Sequence, residues 1–123
     1  MINRELEVAA FNHAGGNADW DHGGSFGVQL MCFSEELAEF NQALADYVND
    51  ENEDTRAAMI KEWADVQVTL SNFAWFFNFN GDEAFRRVSE SNMSKTTEGV
   101  LEKNDEGKIM KGANYIPPDM SGL

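Results

Sequence analysis

Apolar positions recur at helical spacing along most of this chain, and the recurrence breaks at glycine, asparagine and clustered acid. Leu6, Ala9, Ala10 and His13 share one face, and Gly15-Gly16 follows them, which predicts a first helix over 4–14. A polar, glycine-rich loop follows to position 24. Ser25 is placed to cap a second helix running to about 49, with Leu30, Phe33, Leu37, Phe40, Leu44 and Val48 as its stripe. DENED at 50–54 reads as a loop whose last acid, Asp54, caps a third helix over 55–79. Met59, Trp63, Val66, Leu70, Phe73 and Phe77 form the stripe of that helix. Asn80-Gly81 ends it, and Asp82 is placed to cap a fourth helix that ends near 97–99 and turns Phe85 and Val88 inward. NDEG at 104–107, between two short apolar runs, reads as a hairpin turn. Pro117-Pro118 forces an extended end. Helical segments joined by short connections predict an all-α, four-helix-bundle-like single domain over 1–123, with a short C-terminal hairpin and extended tail.

Two phrases in this pattern are nearly the same: ELAEF at 36–40 and EWADV at 62–66. At about 100° per residue, Glu36 falls roughly 70° from the centre of its stripe and Glu39 roughly 60° further round. Glu35 points nearly opposite. Glu62 and Asp65 flank the third helix in the same way. Packed antiparallel along their seams, the two helices would bring four carboxylates together. Each ionised pair would then repel by about 4 kcal/mol at ~4 Å and an effective dielectric of ~20. Either the acids titrate upward or a hard divalent cation sits among them. Taken singly, such acids are ordinary boundary residues of amphipathic helices; the repetition is what points to a site. Oxygen-only ligands suit Mg²⁺ or Mn²⁺ and not zinc, copper or haem. A di-iron bundle would need ExxH on two helices, but positions 39 and 65 hold Glu and Asp. On the fourth helix, the inward face continues to Asn92 and Lys95, a pair able to bind a hydroxyl or phosphate.

Charge narrows the partners. The 123 residues carry a net charge of −13, with 42% hydrophobic residues. That balance argues for a globular protein and against nucleic-acid polymers or an anionic membrane surface as partners. Metal ions can still bridge such a protein to a small polyanion. One cysteine, Cys32, excludes a disulfide framework within the chain. No apolar stretch reads as a membrane span or signal peptide, so the expected location is cytoplasmic. Six of the nine basic residues (Arg86, Arg87, Lys95, Lys103, Lys108 and Lys111) follow the acidic pairs.

EELAE at 35–39, EWAD at 62–65, SNMSK at 91–95 and the tail DEGKIMKGANYIPPDM at 105–120 occur in that order. Together they resemble the MazG-like, all-α nucleoside triphosphate pyrophosphohydrolases, and within these a phosphoribosyl-ATP-pyrophosphohydrolase-like subgroup, over about 27–120. The resemblance implies hydrolysis of a (d)NTP to the monophosphate and pyrophosphate. It implies Mg²⁺, with Mn²⁺ as a substitute, on Glu36, Glu39, Glu62 and Asp65. Glu35 matches an acid whose implied role is to orient or activate water, although the wheel turns it away from the seam. By the same match Asn92, Lys95, Lys111 and Tyr115 would contact substrate, the last two reaching a neighbouring subunit's site. Lys95 would steady charge on the departing pyrophosphate. FNHAGGN at 11–17 departs from the family pattern, with Asn12 and Gly15 where His and Phe usually stand, so no base preference carries over. Phe11 and Trp20 are candidates to stack on a base.

Two other readings remain open. Phosphoribosyl-ATP pyrophosphohydrolysis is the same chemistry on another substrate. A non-enzymatic acidic helical interaction protein, such as a nucleic-acid mimic, would explain the charge but not the matched flanking of the acids. A second apolar strip, Val68, Trp75 and Phe79, predicts a homodimer or homotetramer.

Overall fold

A computed structural model of the chain describes residues 3–16 and 26–123. The cap assigned to Ser25 and the ring of Trp20 lie outside these described residues. The architecture is all-α: α1 (Arg4–Ala14), α2 (Phe26–Asn49), α3 (Glu53–Phe76) and α4 (Gly81–Met93). Two isolated antiparallel bridges join Thr97 to Val100 and Lys103 to Ile109. None of the described helices is long and apolar enough to cross a membrane. The chain divides into two compact units, Met1–Phe79 and Asn80–Leu123.

In the first unit, α3 packs against both α2 and α1. The connection between α2 and α3 is only three residues, so the two helices form an antiparallel hairpin. Among the covered positions, one row on α2 is Phe33, Glu36, Phe40, Ala43 and Tyr47, and one row on α3 is Met59, Glu62, Val66, Thr69, Phe73 and Phe76. Both rows step by alternating three and four residues, the spacing that keeps a helix face on its neighbour. The rows meet edge to face at Phe33 and Phe73, whose ring centroids are 5.7 Å apart.

The predicted stripe of α2 is therefore split. Phe33 and Phe40 face α3, while Leu30, Leu37, Leu44 and Val48 remain 46, 38, 39 and 66% exposed. Glu36 and Glu62 are not at the margin of the seam but on it. The reason is that the two aromatic rings fix the rotation of the pair, and the leucines one step round are left to solvent.

Both ends of α3 differ from expectation. Asn52, not Asp54, is its N-cap: its side chain accepts from the Thr55 amide, and Thr55 Oγ1 accepts in return from the Asn52 amide. Asp54 lies in the first turn, where its charge complements the helix dipole. The helix stops at Phe76 because Asn78 is left-handed, with φ of 52°. The amides of Asn78 and Phe79 then close back onto the carbonyls of Trp75 and Ala74, the pattern of a Schellman terminus. Against α3 also lies α1, stopped at Gly15-Gly16 as its sequence predicts and capped by Asn3, whose side chain accepts from the Leu6 amide. Buried Asn12 joins it to α3 by donating to Asn72 Oδ1 (2.9 Å), and Ser71 Oγ donates to Glu5 Oε1 (2.6 Å).

In the second unit, Asn80 rather than Asp82 caps α4, accepting from the Glu83 amide. The helix is shorter than expected because the chain leaves it at Ser94 to receive the tail. The covered side of α4 includes Glu83, Ala84, Arg87 and Ser91, continued by Ser94 at its C-cap; Phe85 is 72% and Val88 39% exposed, against the expectation that they face inward. That face is polar because it binds backbone. Ser91 Oγ donates to the Ile116 carbonyl (2.7 Å), and the Ile116 amide donates to Ser94 Oγ (2.8 Å). Arg87 donates to the carbonyls of Asp119 and Ser121. The predicted hairpin is present: Lys103 bridges Ile109 around a turn at 104–107 closed by Gly107, whose φ is 85°.

Candidate metal centre

The two phrases meet across the α2–α3 hairpin. Glu36 from α2 and Glu62 and Asp65 from α3 each bring a carboxylate oxygen within 4.8 Å of the others. The spacing explains the convergence. Glu36 and Glu62 each occupy the seam, one step from a large apolar residue on either side, so packing drives them toward each other. Asp65, three residues after Glu62, lies about one helical turn along the same face.

Burial sharpens the electrostatics. Glu36 Oε2 and Glu62 Oε2 are inaccessible and find no hydrogen-bond partner among the described residues. A buried carboxylate oxygen without a donor carries a desolvation cost of about 1–3 kcal/mol or more. Burial pushes the Glu36 carboxyl above its ordinary range, and the charges of Glu39, Asp65 and Glu62 push it further; Lys61 opposes them.

Lys61 is the residue that the sequence reading missed. Its ammonium lies 2.7 Å from Asp65 Oδ2 and 3.3 Å from Glu62 Oε1, and these two bonds hold it protonated well above the usual lysine range. The signal was in the sequence: Lys61 precedes Asp65 by four residues, the spacing of a helical ion pair.

The other acids stand apart from this group. Glu39 is exposed and not among the three, though its charge reaches Glu36. Glu35 is exposed, on the side of α2 where the wheel put it. In the second unit, Asn92, Lys95, Lys111 and Tyr115 do come together. Lys95 Nζ donates to Asn92 Oδ1 (3.1 Å), and the ammonium groups of Lys95 and Lys111 lie 5.8 and 4.8 Å from the centre of the Tyr115 ring. Gly112 makes that approach possible: a Cβ there would lie 2.7 Å from the Lys95 carbonyl oxygen. Phe11 is 71% exposed and stacks on nothing described. In the strip expected between subunits, Val68 and Phe79 are exposed and Trp75 is half-buried.

The donor set fits a hard divalent cation. All three ligating groups are carboxylates, and two of their oxygens lack partners. Fold and site thus define a class, an all-α protein with a three-carboxylate cluster on a helix hairpin. Compared with known proteins, the chain matches no family model and no curated sequence.

Proposed function

We propose that this protein is a Mg²⁺-dependent nucleoside triphosphate pyrophosphohydrolase, converting a (d)NTP to the monophosphate and pyrophosphate. The observation that carries the reading is the meeting of Glu36, Glu62 and Asp65 with two buried, partnerless oxygens. The resemblance of the four ordered motifs supplies the reaction. Glu36, Glu62 and Asp65 would hold the cation, with exposed Glu39 free to rotate in as a fourth ligand. Bound there, Mg²⁺ or Mn²⁺ would neutralise phosphate oxygens and let an acidic protein hold an acidic substrate.

The chain's own groups divide the remaining work. Glu35, solvent-facing, is the weakest member of the proposed set, because its exposure gives it no fixed position from which to orient water. By the resemblance, Lys95 and Lys111, grouped with Tyr115 and Asn92 in the second unit, are the residues that would contact phosphate and steady the charge on departing pyrophosphate. The exposed row Leu30, Leu37, Leu44 and Val48 on α2 supports a homodimer or homotetramer.

A pyrophosphate-release screen over canonical and modified nucleotides and phosphoribosyl-ATP, in Mg²⁺ and Mn²⁺, tests the reading. Equimolar monophosphate and pyrophosphate from one substrate class supports it and names the substrate. Absence of pyrophosphate release from every substrate in both metals removes it.

A further inference from the structure

We propose that Lys61 is the resident counter-cation of the carboxylate cluster, and that a divalent ion binds by displacing its ammonium group. This rests on the metal-site reading above and concerns a residue that reading does not use. Lys61 engages Glu62 Oε1 and Asp65 Oδ2, both on its own helix. It makes no bond to Glu36, and the buried oxygens Glu36 Oε2 and Glu62 Oε2 are left without a partner. One monovalent group thus covers the outer side of the cluster and leaves the inner side unsatisfied. A divalent ion seated among all three carboxylates would share Glu62 and Asp65 with the ammonium group, which would then stand beside a second and larger positive charge.

The geometry also lets Lys61 leave. Its side chain is 65% exposed, so the ammonium can move into water without being stranded in an apolar environment. Lysine is suited to this exchange, being a strongly hydrated point charge on a flexible stem. Once a dication is bound, an ammonium group retained at this distance would be repelled. Lys61 therefore stabilises the metal-free protein and opposes metal binding. Neutralising it should weaken the first state and favour the second.

The test compares wild type, Lys61→Gln and Lys61→Arg by calorimetric titration with Mn²⁺, alongside melting with EDTA or Mn²⁺. Lys61→Gln is expected to bind Mn²⁺ about tenfold tighter, to melt lower in EDTA, and to gain more from Mn²⁺ than wild type does. Lys61→Arg, which keeps the charge, should bind no tighter than wild type. A second measurement needs only the wild-type chain: amine labelling of Lys61, read by mass spectrometry, should rise severalfold when Mn²⁺ is added. Equal or weaker Mn²⁺ binding by folded Lys61→Gln overturns the proposal, as does labelling that stays constant or falls, while wild-type binding leaves the metal reading intact. If wild type itself takes up no Mn²⁺, the metal reading and this proposal fall together.

Discussion

Glu36 and Glu62 stand at matching places in two facing rows: each is flanked in its row by large apolar residues, and together with Asp65 they bring oxygens within 4.8 Å. The packing that stabilises the hairpin thereby forces like charges together. Replacing Glu36 by Gln should therefore raise the stability of the metal-free protein at pH 7 by about 1 kcal/mol, the scale of one relieved like-charge contact in a partly hydrated site. The sign follows from the raised Glu36 carboxyl. The native state holds its proton more tightly than the unfolded chain does, so wild type loses stability as pH rises through that range. The advantage of Glu36→Gln should shrink toward zero as pH falls to the ordinary value of 4.5. Melting of both proteins in EDTA across that interval checks it.

Phe73 anchors the same hairpin, meeting Phe33 edge-on at 5.7 Å and stacking with Phe77 at 6.4 Å. Phe73→Ala should cost about 2–3 kcal/mol in urea unfolding, somewhat below a fully buried phenylalanine because the ring is half-covered. The same variant should weaken Mn²⁺ binding, since the rings set the rotation that aims Glu36 at Glu62.

A smaller and purely local effect is expected at Asn52. Its reciprocal bonds with Thr55 start α3, so Asn52→Ala should cost about 1 kcal/mol and leave the carboxylate cluster's metal affinity unchanged. Urea unfolding and Mn²⁺ titration on one preparation separate the two readouts.

Gly112 governs the basic group. A methyl there would lie 2.7 Å from the Lys95 carbonyl oxygen and 3.0 Å from Thr97 Oγ1. Gly112→Ala should push the tail off the end of α4 and take Lys111 and Tyr115 away from Lys95. Expected outcomes are faster proteolysis of the tail and at least a tenfold loss of pyrophosphate release, a scale typical of losing charged contacts to a reacting group, with Mn²⁺ affinity retained.

The helices were legible because their apolar letters repeat at helical spacing; the breaks fall at Gly15-Gly16, at 50–52 within reach of DENED, and at 77–80, just before the expected stop at Asn80-Gly81. The convergence of Glu36, Glu62 and Asp65 was legible too, but for a reason partly misjudged. Two apolar rows compete on α2, one through Phe33 and Phe40, the other through Leu30, Leu37 and Leu44. A wheel averages them, and only the partner helix selects between them. The caps were misassigned because runs such as NED and NGD offer several side chains able to accept the first amides. Asn52 and Asn80 win because each sits just before the first helical residue. On α4, hydrophobicity misled altogether: Ser91, Ser94 and Arg87 are covered because they bind the backbone of a tail that is distant in sequence.

The central claim is that packing of α2 on α3 aims three carboxylates at one divalent cation. Anomalous scattering from crystals grown with Mn²⁺ tests it most directly. The expected result is a single strong peak bonded to Glu36, Glu62 and Asp65, lost in the Glu36→Gln/Glu62→Gln variant. Wild-type crystals with no peak among those three residues, or with Mn²⁺ held only elsewhere, would contradict it.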